Sequence, residues 1–221
     1  DNAASVASEA YFDWLIEKGA LFAWIFSYMP VGVDAPTSLM PDPVDRERLY
    51  RFNRQVRATK PILTLDFQHD GEFVGGCIAG GRRYLHINAA GDVEPCVFIH
   101  YSNANIRERS LLDCLRSPLF MAYYEGQPFN DNLLRPCPML ENPDCLEEMV
   151  ERSGAHCTDL QAQESAHELA EKCRPAARAW APVAERLWTD PDDERAALRN
   201  RTCSGLADSD LDRLARQGRV M

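Results

Sequence analysis

Two cysteines separated by a glycine constrain this chain more than any other feature. Thirteen residues separate Cys77 from Gly91, and four more separate Gly91 from Cys96. The turn at Gly91 lies between alternating apolar and polar residues, which predicts a β-hairpin with strands at 82–88 and 93–99. Such a hairpin returns Cys96 towards Cys77, so that both thiols can reach one metal centre.

Glycine and proline surround the candidate metal ligands. Residues 71–81 hold five glycines around Cys77, and glycine lets backbone approach closely without Cβ clashes. A proline precedes Cys96 and prolines flank Cys137 on both sides, which predicts rigid, non-helical backbone. An iron–sulfur cluster needs thiolates with free space and N–H donors around them. Cys77, Cys96 and Cys137 are therefore candidate ligands, and buried free cysteines are the alternative.

The remaining cysteines divide into candidate fourth ligands and candidate core residues. Cys145, where a helix begins, and Cys157, in an irregular stretch, could each supply a fourth thiolate. A cluster with three protein thiolates that is open to a small molecule is a further alternative. Cys114 and Cys173 lie on apolar faces of predicted helices, which favours the core. Cys203 lies in a polar stretch without a predicted partner.

Zinc binding and disulfide formation are the competing uses of eight cysteines. Structural zinc sites usually contain a closely spaced pair such as Cys-x2-Cys, and this sequence has none. Disulfide scaffolds are usually shorter and denser in cysteine. The pattern favours an iron–sulfur cluster in a reducing compartment, which predicts a cytoplasmic location. A non-catalytic metal-binding interaction module, with zinc or an iron–sulfur group, and a disulfide-stabilised domain are the alternatives.

Charge and hydropathy exclude two classes of partner. The net charge is −10, and no Lys/Arg-rich stripe with interleaved aromatic residues is present, which argues against nucleic acid. The longest apolar run, ALFAWIFSYM, is half of the roughly twenty residues that cross a bilayer. No nucleic-acid or membrane partner is therefore expected.

The first seventy residues predict alternating helices and strands. Residues 9–18 form an amphipathic helix capped by Ser8, and a second helix begins after Asp42 and its following proline. LFAWIFSYM predicts a strand buried on both faces, and ILTLDF predicts another strand. This alternation is typical of an α/β fold with a parallel sheet covered by helices.

Polar residues follow the second predicted strand and a turn follows the first. They are candidates for a pocket, because α/β enzymes place their sites at the carboxyl ends of strands. Ordinary loop polarity is the alternative. The residues concerned are Tyr28, Met29, Pro30, Val31, Gly32, Asp66, Gln68, His69 and Asp70.

The C-terminal half is predicted to be mainly helical. A helix begins after Ser110 and ends at Pro118, and residues 127–145 form a long loop rich in proline and asparagine. Residues 159–188 have a helical apolar stripe, and their two prolines predict a kink or a division. Residues 191–221 are charged and polar.

The hairpin motif resembles the auxiliary-cluster region of radical S-adenosylmethionine (SAM) proteins of the SPASM/twitch type. The family hairpin reads I-x-x-x-G-x-V-x-P-C, and the matching residues here are Ile87, Gly91, Val93, Pro95 and Cys96. Asn105 and Ile106 resemble the GN-I stretch that follows the hairpin in the family, and the segment RPCPML contains Cys137. The preceding helix–strand segment resembles the last units of the family's partial (βα)6 barrel. The similarity extends over roughly residues 9–160 and is greatest over 71–140.

The resemblance implies a division of the chain. The expected parts are a C-terminal fragment of a radical SAM barrel (1–70), a SPASM/twitch-like auxiliary cluster domain (71–158), a C-terminal helical segment (159–190) and a polar charged tail (191–221). The overall class is α/β, with the final βα units of the barrel followed by the hairpin domain and helices.

The resemblance also implies cofactors and chemistry. In the family, a Cys-x3-Cys-x2-Cys loop holds a [4Fe-4S] cluster that binds SAM and generates a 5′-deoxyadenosyl radical. No such loop occurs among these 221 residues. The chain is therefore expected to be the C-terminal part of a longer enzyme and to be inactive alone. SAM and the second [4Fe-4S] cluster are expected only in the full-length protein.

One auxiliary [4Fe-4S] cluster is expected in this chain. A full SPASM domain uses a compact Cys-x2-Cys-x5-Cys-x3-Cys run for a second auxiliary cluster, and Leu140 stands where its second cysteine would fall. Cys77, Cys96 and Cys137 carry over as ligands by resemblance. The implied partners are a peptide or small-molecule substrate and an electron donor such as a ferredoxin or flavodoxin.

Overall fold

The computed structural model describes residues 2–190. Its α-helices are α1 (Ala3–Val6), α2 (Glu9–Glu17), α3 (Pro43–Thr59), α4 (Gly71–Val74), α5 (Leu111–Leu115), α6 (Pro118–Gly126), α7 (Pro143–Ser153) and α8 (Ala166–Trp188). Its strands are β1 (Phe22–Ile25), β2 (Leu63–Asp66), β3 (His86–Ile87), β4 (Val93–Glu94), β5 (Tyr101–Ser102) and β6 (His156–Cys157). A 3-10 turn covers Thr37–Leu39. The predicted polar tail and Cys203 lie outside the described residues.

The chain up to Ala184 forms one compact unit, and the residues from Glu185 onward belong to another. Of this second unit, the structure describes only the end of α8 and the two residues after it. None of the helices between residues 2 and 190 is long and apolar enough to cross a membrane.

A two-stranded parallel sheet begins the fold. β1 pairs with β2 in a register that runs from Phe22–Leu63 to Ile25–Asp66. One face of the sheet packs on α2 and α3 around Phe12, which is fully buried. The order β1, α3, β2 is a parallel crossover, as the alternation of helices and strands predicts.

The prediction that β1 is buried on both faces is wrong for the described chain. Phe22 is 61% exposed and Trp24 is 50% exposed, whereas Ala23 and Ile25 between them are half-buried. The reason is that residues 2–190 provide only two strands here, with helices on one face and no barrel. An apolar run indicates burial but does not say what covers each face.

Helices α2 and α3 begin where their caps predict. The Ser8 hydroxyl accepts a hydrogen bond from the Tyr11 N–H at 3.3 Å. Asp42 Oδ1 accepts from the Asp45 N–H at 2.8 Å, with a proline at the first helical position. A helix that starts at this point places Arg46 on its buried side, where the residue is only 5% exposed.

The predicted hairpin is present, but its paired part is short. β3 and β4 pair antiparallel through two residue pairs, rather than over 82–88 and 93–99. Pro95 follows β4 and has no N–H with which to extend the ladder. Its carbonyl instead accepts from the Gly80 N–H at 2.9 Å. This contact ties the hairpin to the glycine-rich loop around Cys77.

The hairpin turn depends on Asn88 and Gly91. Asn88 Oδ1 accepts hydrogen bonds from the N–H groups of Ala90 at 2.9 Å and Asp92 at 3.0 Å. Gly91 has φ +92°, a conformation that side chains with a Cβ rarely adopt. A Cβ there would also lie 2.7 Å from Asn105 Oδ1. The turn therefore requires a glycine at position 91, between Cys77 and Cys96.

Helix α5 begins at its predicted cap, and an additional helix, α6, follows it. Ser110 Oγ accepts from the Asp113 N–H at 3.2 Å at the start of α5. Pro118, expected only to end that helix, also begins α6. A proline suits the first helical position because the N–H it lacks would be unbonded there.

Helix α8 is continuous, so the division expected at its prolines is not observed. It begins at Ala166 rather than near residue 159. Pro175 and Pro182 lie on its exposed side, where solvent can hydrogen-bond the carbonyls that lose their helical donor. Cys173 and Trp180, on the opposite side, are fully buried. Packing of that buried stripe holds the helix together through both prolines.

The main core lies between the hairpin region and helices α6, α7 and α8. Its buried members include Cys96, Ile99, Tyr101, Leu119, Ala122, Tyr123, Met139, Leu140, Leu146, Met149, Val150, Leu169 and Cys173. Cys77, Cys137 and Cys157 pack against it from half-buried positions. The core therefore surrounds the region in which the candidate ligands lie.

Candidate metal centre

The three cysteines predicted as ligands lie around one cavity. Cys77 follows α4, Cys96 follows β4, and Cys137 lies in the segment between α6 and α7. All three line a cavity of about 470 Å³, which β2 and the turn after it close on the other side. The glycine-rich loop, the hairpin and the proline-rich segment thus bring together thiols that are up to 60 residues apart in sequence.

Each of the three sulfur atoms receives backbone N–H groups from residues just after it. The N–H of Ala79 points at Cys77 Sγ at 3.5 Å, and that of Leu140 points at Cys137 Sγ at 3.4 Å. The N–H groups of Val97 and Phe98 act in the same way on Cys96 and lower its pKa. Backbone donors to cysteine sulfur are the hydrogen bonds that tune iron–sulfur centres.

Burial is the largest influence on the acidity of these thiols. It raises the pKa of Cys77 to about 12 and raises the pKa values of Cys96 and Cys137 as well. The neighbouring thiolates and the carboxylate of Glu141 raise the pKa values of Cys77 and Cys137 further. A bound metal cation reverses this effect, because coordination deprotonates a thiol outright. Three desolvated thiols around one space are arranged as metal ligands are.

Two tyrosines lie near the three cysteines. The hydroxyl of Tyr84 is hydrogen-bonded to Cys96 Sγ. Tyr123 is fully buried, and within the described chain its hydroxyl has no hydrogen-bond partner. Burial raises the pKa of Tyr123 most, and Cys77, Cys96 and Cys137 raise it further. An unsatisfied buried donor near three thiols suits an anionic group between them.

Gly80 allows Tyr123 to approach this site. It has φ +67°, and a Cβ there would lie 2.6 Å from the Tyr123 ring. That separation is shorter than side chains tolerate, so a larger residue would displace the ring. The glycine-rich character of the Cys77 loop thus has a packing reason as well as a conformational one.

The cysteines that lie in helices differ from the three that line the cavity. Cys114 and Cys173 are fully buried, which confirms the core positions expected for them. No backbone N–H near Cys114, Cys145 or Cys173 acts on the thiol. All seven cysteines between residues 2 and 190 are free rather than joined in disulfides.

The two candidates for a fourth ligand lie away from the cavity. Cys157 belongs to β6, pairs with Tyr101 across the strands, and faces a different, smaller pocket. Cys145 lies in the first turns of α7 and does not line the cavity either. The structure therefore gathers three thiols, and not four, from the described residues.

Replacement of either remaining candidate should leave metal binding intact. We expect Cys145→Ala and Cys157→Ala to take up as much iron and sulfide as the unmodified chain, because neither side chain reaches the cavity. Iron and acid-labile sulfide per chain after anaerobic reconstitution measure this. Loss of iron in one of the two variants would identify that residue as the fourth ligand and contradict the expectation.

The opposite wall of the cavity is apolar and aromatic. Phe67 lies 6.1 Å from both Trp24 and Phe98, and 5.0 Å from Phe26, measured between ring centroids. Phe98 is two residues beyond Cys96, so this row of rings extends from the sheet to the thiols. The charged residues of the lining include Arg57 and Asp70, which form an ion pair with each other.

The polar residues after β2 divide between the cavity and a buried network. Asp66, Gln68 and Asp70 contribute to the cavity lining, whereas His69 does not. His69 Nδ1 lies 2.9 Å from Asp66 Oδ2, and both residues are almost fully buried. Of the residues after β1, Met29 lines the cavity and Tyr28 does not.

A single metal ion does not suit this arrangement. Within residues 2–190, no three side chains of the His, Cys, Asp and Glu types converge closely enough to share one ion. A zinc ion requires its sulfur ligands at about 2.3 Å from one centre. An iron–sulfur cluster has several iron atoms, so its thiolates stand further apart around a common space. The three thiols, their N–H donors and the Tyr123 hydroxyl fit a cluster.

Comparison with protein families agrees with this reading. The model of SPASM, an iron–sulfur cluster-binding domain, matches residues 77–145. The matched segment contains Cys77, Cys96 and Cys137, and it fits a radical SAM auxiliary domain. It indicates iron–sulfur cluster binding by this part of the chain. Searches of curated proteins and of solved structures found no match.

Sequence reasoning missed four side chains of this site. Tyr84 lies in the first predicted strand of the hairpin, but nothing local indicates its hydrogen bond to Cys96. The other three missed side chains make contacts between segments that are distant in sequence. They are Tyr123, Arg46 and Glu141. The only sequence signal was the position of Glu141, four residues after Cys137 in the proline-rich segment.

Proposed function

We propose that this chain binds an auxiliary [4Fe-4S] cluster through Cys77, Cys96 and Cys137. The supporting observation is that these three thiols line one cavity, each with backbone N–H groups directed at its sulfur. The Tyr123 hydroxyl and the Tyr84 hydroxyl would donate to the sulfur atoms of the bound group. The domain match over 77–145 supports the same assignment.

We further propose that the chain is the C-terminal part of a radical SAM enzyme. β1, α3 and β2 form a parallel crossover of the type found in the last units of such a barrel. When bound, the auxiliary cluster would exchange an electron with a substrate radical or coordinate substrate at an iron without a protein thiolate. This chain's residues would position the cluster, exclude water from it and hold the substrate.

A non-catalytic zinc-binding interaction module is the rival reading. It predicts ligands that converge on one ion, which the described residues do not provide. This observation favours the cluster.

The cavity supports a proposal about the substrate. Rings of Phe67 and Phe98 face the same space as Cys96, and the charged lining residues are paired, Arg57 with Asp70 and Asp66 with His69. An uncharged, largely apolar part of a peptide or small molecule would therefore bind there. The electron donor would be a ferredoxin or flavodoxin in a reducing cytoplasm, as in the family that the chain resembles.

The division of roles between this chain and the rest of the enzyme can be tested directly. The reconstituted 221-residue chain, supplied with SAM and dithionite, is expected to form no 5′-deoxyadenosine, because it lacks a Cys-x3-Cys-x2-Cys loop. A polypeptide that carries such a loop ahead of Asp1 is expected to form it, as measured by chromatography.

Two results would contradict this proposal. Formation of 5′-deoxyadenosine by the chain alone would contradict the assignment of radical generation to another segment. A coding region without such a loop upstream of Asp1, or a loop-bearing polypeptide that forms no product, would contradict membership of the radical SAM class.

A further inference from the structure

A buried ion pair connects the sheet to the segment that carries Cys137. Arg46, on α3, donates from a guanidinium nitrogen to Glu141 Oε1 at 2.7 Å. The side chains of Arg46 and Glu141 are 6% and 0% exposed. An ion pair desolvated to this degree depends strongly on both partners, because removal of one leaves an uncompensated buried charge.

The other carboxylate oxygen of Glu141 holds the candidate ligand itself. Glu141 Oε2 accepts from the Cys137 N–H at 2.9 Å. The Cys137 carbonyl accepts in return from the N–H of Glu141 at 3.2 Å and from that of Asn142 at 3.1 Å. Both peptide groups of Cys137 are thus fixed by the residues that follow it.

Arg46 is itself fixed on three sides. Its guanidinium carbon lies 4.1 Å from the centroid of the Trp180 ring, and it donates to His69 Nε2 at 3.3 Å. Because His69 Nε2 accepts from Arg46, the ring proton lies on Nδ1, which faces Asp66 at 2.9 Å. The Arg46 cation therefore meets one carboxylate directly, that of Glu141.

We propose that Arg46 and Glu141 form a charge-balanced clamp that positions Cys137, and that each charge of the pair cancels the effect of the other on the reduction potential of the auxiliary cluster. This inference rests on the proposed function. Glu141 and Arg46 are positioning residues, since neither is a ligand. The Glu141 carboxylate accepts from the N–H of Cys137, whose thiol lines the cavity together with Cys77, so its charge lies next to the cluster site.

The clamp predicts the direction of a shift in potential. Reduction adds negative charge to a cluster, so a nearby positive charge favours it and a nearby negative charge opposes it. In Glu141→Gln the carboxylate charge is lost while the guanidinium of Arg46, which stays protonated in proteins, remains. The reduction potential should therefore rise. In the double variant Arg46→Met/Glu141→Gln both charges are absent, and the potential should return towards the original value.

A redox titration of the reconstituted chain, followed by electron paramagnetic resonance, measures this. We expect Glu141→Gln to change the ratio of affinities for reduced and oxidised cluster about tenfold, equivalent to about 59 mV for one electron. Glu147→Gln is the matched control, because Glu147 lies in the next helix and pairs with His167 and Arg174. The reduction potential of the cluster in the Glu147→Gln variant should equal that in the unmodified chain.

Each outcome decides the proposal. A positive shift in Glu141→Gln that the double variant cancels supports the clamp. No shift, or a shift that the double variant retains, overturns it. Should Glu141→Gln fail to hold iron or to fold, recovery in the double variant supports charge balance and persistent failure overturns it. Failure of the unmodified chain to bind iron would instead reject the proposed function.

Discussion

Alanine at Cys77, Cys96 or Cys137 is expected to remove the iron–sulfur cluster from this chain. Each substitution deletes one of the three thiols that line the cavity within residues 2–190, and the methyl group of alanine cannot bind iron. Iron and acid-labile sulfide should fall below about a tenth of the amount in the unmodified chain. Visible absorption after anaerobic reconstitution, with metal and sulfide analysis, measures the loss.

Cys114→Ala and Cys173→Ala are the matched controls for this experiment. Both thiols are fully buried, yet neither lines the cavity nor receives a backbone N–H on sulfur. These variants should keep their iron even where they lose some stability. Equal loss of iron in all five variants would show that the effect is unfolding, and it would contradict a specific role for the three.

Replacement of Trp180 by alanine should have the largest effect on stability. The side chain is fully buried, its Nε1–H donates to the Leu134 carbonyl at 3.1 Å, and its ring packs on Arg46 and His69. The substitution leaves a large cavity and an unpaired carbonyl. The free energy of unfolding should fall by about 3–5 kcal/mol, measured by urea denaturation.

Trp14→Ala provides the comparison. Trp14 is 51% exposed and contacts Tyr11 on the helix surface, so its loss should change the free energy of unfolding by only about 0.5 kcal/mol. Similar losses in the two variants would contradict the placement of Trp180 in the core. Trp180→Phe retains most of the packing and should lie between these values.

Local features of the fold could be predicted from the sequence. Ser8, Asp42 and Ser110 all cap helices because the capping bond joins residues three apart in the chain. The turn at Gly91 is equally local, since its φ of +92° is supplied by that residue. Interactions over a few residues are determined by the residues themselves, so pattern reasoning recovers them.

Features that depend on distant partners could not be predicted. The exposure of Phe22 and Trp24 depends on how many strands and helices cover the sheet, which no local pattern states. The continuity of α8 through Pro175 depends on the burial of the opposite helix face. Arg46 and Glu141 are 95 residues apart, and neither position carries a signal for the other. The site's outer contacts are therefore a property of tertiary packing.

The candidate ligands fall between these two cases. The cysteine spacing and its resemblance to a known hairpin predicted which thiols would meet, and the structure brings Cys77, Cys96 and Cys137 to one cavity. The structure adds the N–H donors, the two tyrosines and the positions of Cys145 and Cys157 away from the cavity. These additions depend on backbone paths that cysteine spacing alone does not define.

We propose that this chain holds one auxiliary [4Fe-4S] cluster on three cysteines. Iron and acid-labile sulfide per chain after anaerobic reconstitution test it most directly, with Mössbauer spectroscopy to identify the cluster type. We predict four iron and four sulfide atoms per chain, as the [4Fe-4S] composition requires. A chain that takes up zinc in preference to iron, or that binds neither metal, would contradict the account.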